Sequence, residues 1–234
     1  MVENIQSPFR NSPYYMHTDK MPLASKVSFH VRRKMFTIFM AAMRPSAETS
    51  ILDLGVTSDD RYQESNYFER FYPYKDRVVC AGTEDGSHLE QEYPGVTFVP
   101  IKANQPLPFL NQQFDIIFSN AVIEHTGGEG GQQFFIKEIL RVSKAFFITT
   151  PNRWFPVEMH TGLPLLHYLP MPIYRLVLTR IGLQYWTSEE NLNLLDARSF
   201  SRLFPSSVSV KVVTVTLLGI PSNLIAYGEN RGRE

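Results

Sequence analysis

A rhythm in the chain constrains its fold more than any single residue does. Five short apolar runs, Ser50–Leu54, Arg77–Ala81, Val96–Val99, Phe114–Ser119 and Lys144–Thr149, are separated by helical or mixed segments near 62–72, 87–93 and 131–142. A strand that is apolar on both faces must be covered on both, which a parallel sheet sandwiched by helices provides. Right-handed crossovers then leave a doubly wound α/β sheet as the natural architecture. Two further β-type runs, Val208–Leu217 and Ser222–Tyr227, flank the turn signal Gly219-Ile-Pro221 and predict an antiparallel C-terminal pair. The expectation is a mostly parallel, seven-stranded sheet.

Ahead of the first strand, Val27, Val31, Met35, Ile38, Phe39 and Ala42 recur at spacings of three and four, which predicts an amphipathic helix stopping before Pro45. Arg32-Arg-Lys34 falls between them and reads as its solvated face. Residues 1–26 lack a period and read as an N-terminal arm, leaving 27–234 as a single domain. After Thr150 the rhythm breaks. Residues 151–186, rich in Pro, His, Tyr and Leu, read as an insertion over one edge of the site, a lid that binds substrate. Ser188–Phe204 reads as a helix capped by Ser188, with Glu189 and Glu190 in its first turn.

Charge and cysteine content narrow the partners. Lys plus Arg and Asp plus Glu both number 23, so nothing electrostatic calls for a nucleic-acid partner. The one cysteine, Cys80, rules out an internal disulfide, fits a reducing compartment, and reads as a buried, inert thiol. The first 20 residues lack an apolar signal core, and no run of ~18 apolar residues occurs, so a cytoplasmic protein without a spanning helix is expected. Leu163–Leu183 comes nearest, interrupted by three prolines and two arginines; peripheral contact with a membrane surface is the reading it allows.

Three segments carry chemistry. In Ile51-Leu-Asp-Leu-Gly55 an apolar strand ends in an acid and a glycine, and ligands of such sheets sit outside the strands' carboxyl ends. Leu107-Pro-Phe109 leads into Phe114-Asp-Ile-Ile-Phe-Ser-Asn120 and Ala121-Val-Ile-Glu-His125, bringing Asn120 to the same edge. After the fifth run comes Thr149-Thr-Pro-Asn-Arg-Trp-Phe-Pro-Val-Glu-Met-His-Thr161, in which Glu158 and His160 are two apart and would share a face if extended. A histidine or carboxylate there could act as a general base toward a bound substrate's hydroxyl, as could His125; solvated loop side chains are the plain alternative. His125, Glu158, His160 and His167 lack a tight metal-ligand spacing, so no metal is expected. Gly127-Gly-Glu-Gly-Gly131 lacks the ending of a phosphate loop and reads as a flexible turn before a helix at 132.

In this order the segments from about 31 to 151 resemble the class I S-adenosylmethionine-dependent methyltransferases, specifically the small-molecule, methyltransferase-11-like branch, whose fold is Rossmann-like. Ile51–Gly55 is similar to the family's first motif, and Leu107–Phe109 with Phe114–His125 to its fourth-strand region. Phe134–Val142 and Ser143–Thr150 are similar to the helix and strand that follow. The resemblance implies S-adenosyl-L-methionine as cofactor. It implies Asp53 and Gly55 against the methionine part, Glu84 and Asp85 at the ribose hydroxyls, Asn104 or its neighbours at the adenine, and Asn120 near the sulfonium. The chain departs from the family pattern in three places: one glycine in the first loop, Ala81-Gly82 ahead of the ribose acids, and Ala103-Asn104 where an aspartate is usual.

The function expected is methyl transfer, with O-methylation foremost, to a small-molecule, glycan or lipid-linked acceptor, with His160, Glu158 and His125 as proton-handling residues. Two other readings stay open: a methyltransferase-fold binding protein that has lost catalysis, and a nicotinamide-dependent oxidoreductase. The absent Gly-x-Gly-x-x-Gly argues against the second, because pyrophosphate needs that close approach.

Overall fold

The computed structural model describes residues 22–59 and 65–230. Its strands are β1 (Ile51–Leu54), β2 (Val78–Gly82), β3 (Thr97–Pro100), β4 (Phe114–Asn120), β5 (Ser143–Pro151), β6 (Ser209–Leu217) and β7 (Ile220–Glu229). They form one sheet in the order β3-β2-β1-β4-β5-β7-β6. β1 to β5 pair in parallel, while β7 lies antiparallel between β5 and β6. The doubly wound sheet and its antiparallel C-terminal pair match the sequence expectation. Strand order reverses between β1 and β4, so their carboxyl ends diverge into the crevice where such sheets bind ligands.

Helices cover both faces. α1 (Pro22–Met43) lays Val31, Met35 and Phe39 against one face, with α2 (Tyr67–Phe71) and α3 (Leu89–Glu92) beside it. The ring of Phe39 meets those of Phe118 and Phe147 edge-on at 5.3 and 5.4 Å. α4 (Glu129–Val142) and α6 (Ala197–Arg202) cover the other face with Ile136, Ile139, Val142 and Phe200 on Leu52, Ile117, Phe146 and Ile148. Alternation assigns the faces: Ile51 belongs to the α1 side and Leu52 and Leu54 to the α4 side, so Asp53 points toward α1 and α2.

Several boundaries differ from expectation for local reasons. α1 starts at Pro22, inside the segment read as an arm; residues 1–21 lie outside the described residues, as do 62–64 of the predicted second helix. The helix expected at 188–204 shrinks to α6, capped by Asp196 through a reciprocal box with Ser199. Residues 193–195 do not continue a helix because their backbone is bonded elsewhere. Asn193 N–H donates to the Glu124 carbonyl (2.8 Å), and the Leu195 carbonyl accepts from Arg153 N–H (2.9 Å). The C-terminal turn is Leu218-Gly219, both left-handed (φ 51° and 82°), which places Ile220 and Pro221 in β7. α4 begins at Glu129, so the glycine cluster is partly helix; a Cβ on Gly131 would collide with the Thr126 carbonyl oxygen.

The insertion is folded. A bridge between Val157 and Pro164, α5 (Met171–Arg180), and short turns around it build a small core of Tyr174, Leu178, Trp186, Leu192 and Leu194. No helix among the described residues is long and apolar enough to cross a membrane.

Candidate active site

The chain leaves β1 at Gly55, which adopts φ 103°, a conformation side chains disfavour, and a Cβ there would strike the Val122 side chain. Gly55 N–H donates to the Ala81 carbonyl (2.7 Å), drawing the loop across the end of β2. The next turn closes on Asn66, whose side chain accepts from Thr57 N–H (3.0 Å) and donates to the Thr57 carbonyl (2.8 Å). On the other flank β4 ends at Asn120, and Ala121 turns sharply with φ 55°. Between them lies a cavity of about 100 Å³ whose walls include Arg32, Asp53, Gly55, Tyr67, Phe118 and Asn120.

Asp53 brings a buried acidic pair to the cavity wall. Asp53 and Glu69 of α2 are both buried close to one another, and the Cys80 thiol donates to Glu69 Oε1 at 3.0 Å. Glu69 Oε2 is buried without a hydrogen-bond partner. Burial raises both carboxyls above their ordinary range, and the Glu69 charge raises Asp53 further. Burial likewise pushes up the Cys80 thiol, which is inert, as the sequence suggested. Asn120 Oδ1 accepts from Thr149 Oγ1 (2.7 Å) and Tyr67 O–H (3.3 Å), fixing the amide at the cavity wall.

The remaining predicted cofactor residues, Glu84, Asp85 and Asn104, are not among the residues that line this cavity. Glu84 Oε2 accepts from Ser58 Oγ (2.7 Å), Ser58 N–H (3.1 Å) and Thr57 Oγ1 (3.2 Å), so the first loop already grips the second strand's acid. Asp85 is exposed, and its carboxylate caps the turn by accepting from Ser87 N–H at 3.0 Å. Asn104 is exposed in a left-handed turn (φ 55°) beyond β3 and does not line the cavity. Sequence reasoning missed Arg32, Tyr67 and Glu69. Arg32 is half-buried over the Tyr67 ring at 5.6 Å, which corrects the solvated reading of the basic triplet; Arg33 and Lys34 are exposed. Its position beside the buried Val31 was the available signal.

The proposed proton-handling residues do meet. His160 Nδ1 lies 2.7 Å from Glu158 Oε1, and Glu158 also accepts from the backbone N–H groups of His160 and Thr161. The His125 ring stands edge-on to His160 at 4.8 Å, and Trp186 covers both at 6.3 and 5.2 Å. Glu124, fully buried, accepts from Thr150 Oγ1 at 2.9 Å. Thr149 and Thr150 therefore tie Asn120 and Glu124 to successive positions of β5, on its two sides. Burial pushes His125 down to about 3 with help from His160, so the ring is neutral. Burial works against Glu158, yet the adjoining His160 and its hydrogen bonds hold it down at about 2; Glu158 in turn raises His160 against the pull of burial. His167 is buried, with Nε2 2.8 Å from the Phe155 carbonyl, and holds the insertion together.

Sheet order and cavity define a doubly wound α/β protein with a cavity at the strands' carboxyl ends. Solved structures narrow this. The carbon methyltransferase of CurJ superposes with a TM-score of 0.61 at 8% identity over 94% of the chain, which spans 61% of that protein's length. An S-adenosylmethionine-dependent methyltransferase from Aquifex aeolicus gives 0.51 at 13% identity, covering 93% of this chain and 97% of that one. The N-methyltransferase NodS from Bradyrhizobium japonicum, solved with S-adenosyl-L-homocysteine, gives 0.54 at 10% identity, covering 86% and 87%. The fold is that of the class I S-adenosylmethionine-dependent methyltransferases. No protein-family model matches the chain, and no curated protein matches it in sequence.

Proposed function

We propose that this chain is a cytoplasmic S-adenosylmethionine-dependent methyltransferase of the methyltransferase-11-like branch, acting on oxygen of a small-molecule, glycan or lipid-linked acceptor. The observation that carries the reading is the cavity at the ends of β1 and β4, because its residues fit the cofactor's methionine end. Asp53 lines the cavity and Glu69 is buried behind it with Oε2 unpartnered, and an ammonium group complements such a pair. Arg32 at the rim suits a carboxylate. The neighbours named above are methyltransferases of similar fold, one of them solved with the demethylated cofactor.

The cofactor supplies an electrophilic methyl group on a sulfonium. The chain's own work is to position and to manage a proton. Asp53 and Glu69 hold the cationic end, Asn120 is pinned by Thr149 and Tyr67 at the wall, and Gly55 lets the backbone come close. Glu84 and Asp85 serve the ribose and Asn104 the adenine edge in this reading. On the acceptor side, His160 oriented by Glu158, together with neutral His125, takes the proton that an oxygen nucleophile releases. The carbon and nitrogen specificities of CurJ and NodS belong to those proteins; the oxygen assignment here rests on this buried imidazole–carboxylate pair. Beside the chamber the insertion exposes Trp154, Met159, Leu165, Ile173 and Leu176, which suits an amphipathic acceptor and contact with a membrane surface.

One observation favours the second reading, a binding protein without catalysis: Thr57 and Ser58 occupy the Glu84 oxygen that ribose hydroxyls would use. Titration calorimetry with S-adenosylmethionine, S-adenosylhomocysteine and NAD separates the cases. Micromolar binding of the first two, about −8 kcal/mol, with loss in Asp53→Ala, supports the methyltransferase. Binding of NAD alone would turn the reading to an oxidoreductase, and no binding would turn it to the non-catalytic protein.

A further inference from the structure

We propose that Glu124, His125 and His160 form a binding site for one divalent transition-metal ion of the zinc class. One ligand atom from each of the three lies within 4.8 Å of the others. Three bonds of about 2.1 Å at tetrahedral angles need apices roughly 3.4 Å apart. Rotamer adjustments of about an ångström close the set. Two imidazoles and one carboxylate, with further positions left for water or substrate, are a common donor set for catalytic zinc and non-haem iron.

The surroundings are built as a ligand shell requires. His125 Nδ1 sits 2.6 Å from the Asn191 carbonyl oxygen, which only accepts, so Nδ1 carries the proton and Nε2 the lone pair. His160 Nδ1 is directed in the same way by Glu158 Oε1, and Glu158 is itself fixed by two backbone N–H groups. A carbonyl behind one imidazole and a carboxylate behind the other are the outer contacts that orient metal-bound histidines and raise their basicity. An independent observation points the same way. Glu124 is fully buried, and while Oε2 accepts from Thr150, Oε1 has no hydrogen-bond partner. An orphaned carboxylate oxygen in a dry pocket is costly, and a cation bound beside it removes the cost.

The site does not depend on the methyltransferase reading. Its catalytic consequence does rest on that reading: with the ion bound, His125 and His160 would act as ligands in place of proton acceptors, and a hydroxyl coordinated to the metal would give up its proton to solvent water more readily than a free one. Sequence spacing could not reveal the set, because Glu124 and His125 follow β4 while His160 comes from the insertion.

The test uses the full, tag-free chain stripped with EDTA, titrated with Co²⁺ and, separately, Zn²⁺. The expected result is one equivalent bound at micromolar affinity or tighter, with visible Co²⁺ bands of a nitrogen- and oxygen-ligated site and a raised melting temperature. Glu124→Gln and His160→Ala should weaken binding at least tenfold, and His88→Ala should leave it unchanged. Glu158→Gln, which keeps all three ligands, should weaken it by about 10–100-fold through loss of the outer contact, and so serves if a ligand variant does not fold. Sub-stoichiometric binding, or binding indifferent to both Glu124→Gln and Glu158→Gln, overturns the proposal. S-adenosylmethionine binding measured on the same samples reports the methyltransferase reading separately.

Discussion

Neighbouring glycines of α4 should respond to alanine in opposite directions. Gly130 is helical and has nothing within 4 Å of where an added methyl would sit, so Gly130→Ala should stabilise the protein by about 0.5–1 kcal/mol, the usual gain of alanine over glycine in a helix. Gly131→Ala gains the same propensity but drives its methyl into the Thr126 carbonyl, whose carbon lies 3.0 Å from the added atom. That obstacle is backbone, tied down by the Thr126 hydroxyl donating to the Ile123 carbonyl at 2.9 Å, and cannot swing aside as a side chain would. Overpacking of this kind costs about 1–3 kcal/mol, so the net effect is a loss of roughly 1–2 kcal/mol. The two variants should therefore differ by about 2 kcal/mol, or about 4–8 °C in melting temperature for a domain of this size. Urea unfolding followed by circular dichroism at neutral pH measures it. Equal stabilisation by both alanines would refute the collision and with it the placement of the turn that carries Glu124 and His125.

Further expectations concern charge and capping. Asp53 and Glu69 have raised pKa values in the folded state, so folding retains protons that the unfolded chain releases above about pH 4, and stability falls as pH rises from there. Glu69→Gln should consequently gain on the wild type with rising pH in chemical denaturation; a constant difference between pH 4 and 8 would contradict the shared burial of the two acids. Asp115, held down at about 2 chiefly by Lys144, contributes stability that is complete above about pH 4 and lost as pH falls toward 2. Because this pair is substantially exposed, Asp115→Asn should flatten that acid limb by less than about 1 kcal/mol, read from melting temperature against pH. Asp196→Ala removes the capping box of α6 and should cost about 1 kcal/mol; an unchanged urea midpoint would show the cap to be idle.

The sheet was legible because its strands are apolar on both faces: Ile51–Leu54 and Phe114–Ser119 have no other place to go. The antiparallel pair was legible from its turn, although Leu218-Gly219 makes the reversal in place of Gly219-Ile-Pro221. What failed was the helix at 188–204, where period and cap were right by local rules but the backbone of 193–195 was claimed by Glu124 and Arg153, contacts no local pattern announces. In the site, Asp53, Gly55 and Asn120 could be read from strand ends, and they line one cavity. Arg32, Tyr67 and Glu69 could not, since α1 and the turn into α2 reach the cavity only through tertiary packing. His125 and His160 were singled out separately; that their rings touch is a property of the insertion's path.

That insertion has its own core, whose Trp186 lies 6.3 and 5.2 Å from the His125 and His160 rings and whose Tyr174 lies 6.5 Å from the His167 ring. Substitutions at Tyr174 or Leu178 lie apart from the sheet clusters, and effects at separated sites add with little coupling. Selection can therefore reshape the insertion in small, independent steps while the β1–β4 crevice stays as it is. Diversification in descendants of this chain should concentrate in 151–186 outside Glu158 and His160, and Trp186 is the core position whose drift would be felt at His125 and His160.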